Sequence, residues 1–113
     1  MTLTQKERTL VNLKFKTTLP IEELEKISTE RKRILKKTKG LISFFCYTND
    51  ETKTIGGIFI FESLILANQY VGKFLTDGLG PKYGVIPMTL KIDIGSIKEE
   101  IIGENFDIQN IRE

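Results

Sequence analysis

The residues that could do chemistry in this 113-residue chain are few. It has no histidine and a single cysteine, Cys46. Zinc sites of the Cys/His type, Ser-His-Asp and Cys-His triads and an intrachain disulfide framework are therefore excluded. Polar residues carried on two apolar strands remain. Asn12 and Lys14 alternate with Val11, Leu13 and Phe15, and Thr89, Lys91 and Asp93 alternate with Ile86, Met88, Leu90, Ile92 and Ile94. Successive strand side chains point to opposite faces, so each strand has one apolar and one polar side. If the apolar sides share a core, an amide, two ammonium groups and a carboxylate come together on the other side.

The remaining signals are weaker. Gly78, Gly80 and Gly84 lack the G-x-G-x-x-G spacing and follow a helix pattern, which makes a poor phosphate cradle and suits a flap at a pocket mouth. Asp50-Glu51 and Glu99-Glu100 fall in turn or tail and read as solvated charge. Cys46 reads as a small buried hydrophobe. Gly56-Gly57 marks a bulge or a close backbone approach. Lys14 and Lys91 also serve to keep edges soluble.

The elements that must position these residues follow from periodicity. Positions 9–16 alternate as a first strand. Leu19-Pro20 starts a helix, with proline in its first turn. Glu22, Glu23 and Glu25 lie early in this helix and Arg31, Lys32, Arg33, Lys36 and Lys37 late, which complements the macrodipole. Ile21, Leu24, Ile27, Ile34 and Leu35 form its narrow apolar stripe, and Gly40 ends it. Positions 41–47 and 55–61 are apolar runs about a polar connector and read as a hairpin. Ser63 caps a second helix over 63–75, with Leu64, Ala67, Val71 and Phe74 at helical spacing. A loop spans 76–84 and a last strand 85–94, where Pro87 favours an edge. The polar tail 95–113 carries Ile97, Ile101, Ile102, Phe106, Ile108 and Ile111, and a short helix from Ser96 is expected there.

The order β-α-β-β-α-β is the ferredoxin-like pattern: an α+β domain with a four-stranded antiparallel sheet, strand order 4-1-3-2 and both helices on one face. The whole chain, 1–113, reads as one such domain, and 40% hydrophobic with 28% charged residues is ordinary for a globular fold. The hairpin strands do not alternate. Either Leu41/Ser43/Phe45/Tyr47 or Ile42/Phe44/Cys46 must face away from the helices, leaving an apolar patch that a second copy would bury sheet against sheet. A homodimer is expected, with an apolar pocket between sheet and helices or between facing sheets. A net charge of +2 is too small to imply a polyanion partner. The absence of a long apolar run or a secretory leader pattern predicts a cytoplasmic protein with no membrane partner.

Across roughly 9–97 the chain resembles the YdhR-like mono-oxygenase family of the dimeric α+β barrel superfamily. The resemblance rests on Gly40 before strand two, the charged connector and the run Ile55-Gly56-Gly57-Ile58-Phe59-Ile60-Phe61. The stretch from Ala67 to Tyr70 and the Tyr83-Gly84-Val85 entry to the Lys91 strand also match. It implies a homodimeric barrel and a mono-oxygenase that works without metal or flavin on a small aromatic or polyketide-like substrate. Such an enzyme stabilises a substrate enolate or phenolate. On that reading Lys91, Lys14 and Tyr47 are the catalytic candidates, and Asn12, Phe45, Phe59, Phe61, Tyr70 and Tyr83 line the substrate site. There is no tryptophan in strand two, where some relatives have one; Ser43 and Cys46 stand there, and without histidine a haem-degrading role loses its axial ligand. A non-redox binding or lyase/cyclase-like barrel is the alternative. An RNA-recognition motif shares the element order, but Gly56 and Ile58 stand where its stacking rings belong, so no nucleic-acid partner is expected.

Overall fold

A computed structural model of the chain describes residues 7–76 and 82–105. The elements run β1 (Thr9–Phe15), α1 (Ile21–Lys36), β2 (Leu41–Asn49), β3 (Thr54–Phe61), α2 (Leu64–Thr76), a 3-10 turn at Pro87–Thr89, and β4 (Lys91–Ser96). The four strands form one antiparallel sheet in the order β2-β3-β1-β4. This is the expected α+β topology, with β4 at an edge.

The alternation of β1 decides the layering. Thr9, Val11, Leu13 and Phe15 are buried, and the residues between them are half-exposed. Across β3 the same face carries Phe61, Phe59 and Ile55, and across β4 it carries Ile94 and Ile92. From α2, Ala67, Val71 and Phe74 pack onto this face, whereas Leu64 is exposed, contrary to its place in the expected stripe. The Ser63 hydroxyl accepts a hydrogen bond from the Leu66 amide at 3.3 Å, the N-cap expected from sequence. Helix α1 contributes only Leu35 to the buried set. Ile21 is 71% exposed and Ile34 is also exposed, so the expected stripe is only partly used and α1 covers the sheet loosely. Pro20 sits one step earlier than expected, at the N-cap, where its carbonyl accepts from the Glu23 and Leu24 amides.

Strand β2 has a register shift between Leu41 and Ser43. Leu41 pairs with Phe61 while Ser43 pairs with Ile60, so the alternation changes phase. Leu41 and Phe44 therefore both pack against the core, and Ser43, Phe45 and Tyr47 take the open face. The expected set Leu41/Ser43/Phe45/Tyr47 is therefore split between the two faces. The hairpin turn at 50–53 is closed by Asn49, whose Oδ1 accepts from the Glu51 amide at 3.0 Å and the Thr52 amide at 3.2 Å.

The expected strand over 85–94 is interrupted. Val85 forms an isolated bridge with Thr17, and pairing resumes only at Lys91 opposite Lys14. The chain between them loops out as the Pro87–Thr89 turn, which leaves Met88 94% exposed instead of core-facing. Proline has no N–H for the ladder, and the Thr89 hydroxyl donates to the Ile86 carbonyl, closing the turn instead. After β4 the Ile97 amide donates to the Arg8 carbonyl at 2.8 Å, and Arg8 pairs with Glu100 at 2.8 Å. Residues 97–105 contain no helix, contrary to expectation, and Ile101 and Ile102 are exposed. Phe106, Ile108, Ile111 and the glycine loop at Gly78 and Gly80 lie outside the described residues.

Phe61 has no exposed surface and sits against the rings of Phe59 and Tyr70. Phe61→Ala should lower unfolding stability in urea by about 3–5 kcal/mol with an unchanged denaturant slope.

Candidate functional site

The loose seating of α1 opens a groove between that helix and the β2–β3 end of the sheet. Its volume is about 550 Å³, and Phe15, Leu24, Ser28, Arg31, Ile55 and Tyr83 lie along it. Its inner end meets a smaller cavity of about 30 Å³ walled by Leu13, Phe44, Gly57, Phe59, Tyr70 and Phe74, with Phe15, Arg31, Ile55 and Tyr83 common to both. The inner space holds about one or two water molecules; the outer groove is large enough for an organic ligand.

Arg31 stands where the two spaces join. Its guanidinium lies 5.1 Å from the centre of the Phe44 ring, a cation–π contact, and Nη2 donates to the Ser28 hydroxyl at 3.3 Å. Its Nε is buried with no hydrogen-bond partner of its own, while the guanidinium also interacts with the Tyr83 hydroxyl. No ion pair among the described residues includes it. A buried donor without a partner is costly. An anionic or carbonyl oxygen entering from the groove would satisfy it.

Two phenols flank this cation. Tyr70 packs at 4.8 Å from Phe59 and 5.7 Å from Phe61 between ring centres, and Tyr83 packs between Phe15 and Phe74. The Thr17 hydroxyl donates to the Tyr83 carbonyl, which fixes that segment over the end of β1. Burial raises the pKa of Tyr70, helped by the neighbouring Tyr83, while Arg31 pulls it back in part. Burial also raises that of Tyr83, opposed first by Arg31 and then by Lys82. Both phenols thus stay protonated at neutral pH, as donors and not as bases. Lys82 donates to Glu30 at 2.7 Å, holding the segment after residue 81 to α1, and this contact keeps the Glu30 carboxyl below its usual range.

The sheet divides the residues singled out from sequence. Phe59, Tyr70 and Tyr83 lie on the helix side, at the cavity. Phe61 is on that side too, but lines neither the cavity nor the groove. Asn12, Lys14, Phe45, Tyr47 and Lys91 lie on the open face. There the Tyr47 hydroxyl donates to Asn12 Oδ1 at 3.3 Å, and Lys14 pairs directly with Lys91. One small ligand cannot touch both groups. Cys46 is exposed and lines the outer groove, contrary to the buried position expected, because α1 does not reach over it.

Arg31, Ser28, Phe44 and Ile55 were not among the sequence candidates. The arginine had a signal. Leu24, Ser28, Arg31 and Leu35 recur at helical spacing, so a serine and an arginine interrupt the face that meets the sheet.

No protein-family model matches this sequence, and a search of curated proteins finds no significant match. Solved structures do share its fold. A mono-oxygenase from the gene ActVA-Orf6 of Streptomyces coelicolor, in complex with nanaomycin D, superposes with a TM-score of 0.63 at 11% identity, over 88% of this chain and 95% of that one. SnoaB, a cofactor-independent oxygenase from Streptomyces nogalater, gives 0.57 at 8% identity, over 88% and 99%. The α+β sheet and helix arrangement is that of these mono-oxygenases.

The tyrosine environment has a pH consequence. A phenol whose pKa is raised on folding holds its proton where the unfolded chain, near pH 10, begins to lose it. Stability from Tyr70 and Tyr83 is therefore complete below about pH 10 and lost as pH rises further. Phenolate absorbance near 295 nm should show both rings titrating above the ordinary value in buffer and at about pH 10 in urea. Tyr70→Phe should remove part of the alkaline loss of stability.

Proposed function

We propose that the chain is a cofactor-independent mono-oxygenase for a small aromatic or polyketide-like substrate, bound in the groove between α1 and the sheet. The observation that carries this reading is Arg31, a half-buried cation with an unpartnered Nε among aromatic walls. The fold shared with oxygenases of this type supports it, as does the resemblance to YdhR-like mono-oxygenases. The oxyanion role that sequence placed on Lys14 and Lys91 passes to Arg31, since the aromatic surface lies on its side of the sheet.

The chemistry follows from the substrate's own electrons. A phenol or anthrone gives up a proton to become a phenolate or enolate, and Arg31 favours that charge. Tyr70 or Tyr83, still protonated, can donate to a second oxygen. The carbanion adds O2 to form a peroxide, which takes up a proton and loses water to leave a new C=O. A CH2 group plus O2 thus gives a carbonyl plus water, with one oxygen atom in each product. Glu25 and Asp50 line the outer groove and are the carboxylates through which the first proton could reach solvent.

The same reading includes a homodimer through the open sheet face. Leu10, Ile58 and Ile60 are only half-buried there and Phe45 is 59% exposed. A two-fold partner would cover them.

Two measurements test the proposal. With an anthrone as substrate, the protein should consume O2, and Arg31→Gln should lower kcat/KM by about 10²–10³-fold while keeping the far-UV spectrum. Binding without O2 uptake would leave a non-redox ligand-binding barrel. Phe45→Glu should turn a dimer into a monomer in sedimentation at micromolar concentration; a wild-type monomer would remove the dimer.

A further inference from the structure

The open face changes character along its strands. Register places Gly95, Leu10, Ile60 and Ser43 in one row across the sheet, and Asp93, Asn12, Ile58 and Phe45 in the next. The third row is Lys91, Lys14, Gly56 and Tyr47. Beyond it come Lys16, whose amide donates to the Thr89 hydroxyl at 2.9 Å, and the pair Thr54 and Asn49. One end of the face therefore carries Leu10, Ile58, Ile60 and Phe45 beside a single carboxylate, Asp93, and the other end carries three lysines.

At the basic end, Lys14, Lys16, Lys91, Tyr47, Asn49, Thr52, Thr54 and Thr89 surround a groove of about 380 Å³. None of its three lysines takes part in an ion pair among the described residues. Two of them stand directly opposite each other on neighbouring strands, an arrangement that like charges disfavour. The Thr52 hydroxyl donates to that of Thr54 at 2.8 Å, leaving the Thr54 proton free to donate. The Tyr47 ring lies over Gly56 and walls the groove on the β2 side.

We infer that this groove is a second binding site for a phosphate-bearing small molecule, on the opposite face from Arg31 and sharing with the Arg31 groove only Asn49 and Thr54 at the hairpin end. Three ammonium groups on flexible stems are point charges that can surround a tetrahedral, multiply charged group. The planar fork of an arginine, which suits a carboxylate, is absent from the lining. Phosphate would offset the Lys14–Lys91 repulsion and accept from the hydroxyls. Leu10, Ile58, Ile60 and Phe45 in the rows beside it remain for a second copy, and no step of the proposed oxygenase chemistry uses these lysines.

The test is a titration of the full chain with inorganic pyrophosphate, followed by amide NMR at constant ionic strength, with sodium chloride and citrate as parallel arms. The site requires saturable shifts confined to the amides of residues 14–16, 47, 54 and 89–91. It also requires binding at least tenfold weaker in Lys14→Gln/Lys91→Gln and unchanged in Lys36→Gln and Arg31→Gln. Uniform shifts matched by chloride would overturn the site. Citrate binding as tightly as pyrophosphate would overturn its assignment to phosphate. A double variant that melts higher than wild type and still binds pyrophosphate equally would show that the lysines merely repel.

Discussion

Two rings lie flat against β3 from opposite sides, and glycine at two successive positions makes this possible. A methyl group at position 57 would come within 2.8 Å of Phe44 Cε1 on the helix face, and one at position 56 would fall inside the Tyr47 ring on the open face. Both contacts are to the interior of packed aromatic groups, which cannot yield as a flexible chain end can. The register shift in β2 then matters, because it sets which ring meets which glycine. Phe44, seated over Gly57, becomes the platform on which the Arg31 guanidinium rests. Tyr47, seated over Gly56, reaches Asn12 and closes the polar end of the open face. Each face of the sheet thus carries an aromatic ring seated on one member of the glycine pair.

Much of this was legible in the sequence, for reasons particular to each element. The strict alternation of β1 can be satisfied by one sheet face only, so its burial followed from pattern alone. Ser63 before an apolar helical run marked the start of α2, and the glycine pair marked a close backbone approach. The last strand failed because its alternation is formally unbroken from Ile86 to Ile94, while Pro87 cannot donate to the ladder and the Thr89 hydroxyl offers a competing partner. Met88 kept the right parity and lost its neighbours. The phase change in β2 was invisible because both faces of that run are apolar, so no residue type reports the slip.

The site was harder to read than the fold. A sequence pattern ranks an arginine in a basic helix as solvated charge, and the neighbouring Lys32, Arg33 and Lys36 of α1 supply a complete dipole explanation. Only the position of Arg31 on the stripe through Leu24 and Leu35 sets it apart. Tyr70 and Tyr83 were recognised as lining residues, but their partner across the cavity was not. The lysines, by contrast, were found as a group because strand pairing is read directly from alternation. What sequence could not supply is the thickness of the sheet between the two sets.

That separation explains the shape of α1. A helix meant only to cover a sheet would carry leucine or isoleucine at positions 28 and 31. Ser28 and Arg31 stand there instead, Leu35 is the one residue of α1 that is buried, and Ile21 stays in solvent. Replacing a buried unpaired polar group by a well-packed apolar one generally stabilises a fold. The chain forgoes that packing, and the result is a groove with a cation at its inner end. Local rules broken without a structural return are most often broken at functional sites. By the same reasoning the Lys14–Lys91 pair, a like-charged pair on neighbouring strands, stands out from an otherwise consistent sheet. The two departures lie on opposite faces of one layer. A ligand at Arg31 and an anion at Lys14 could influence each other through β3 and through Asn49 and Thr54, which line both grooves.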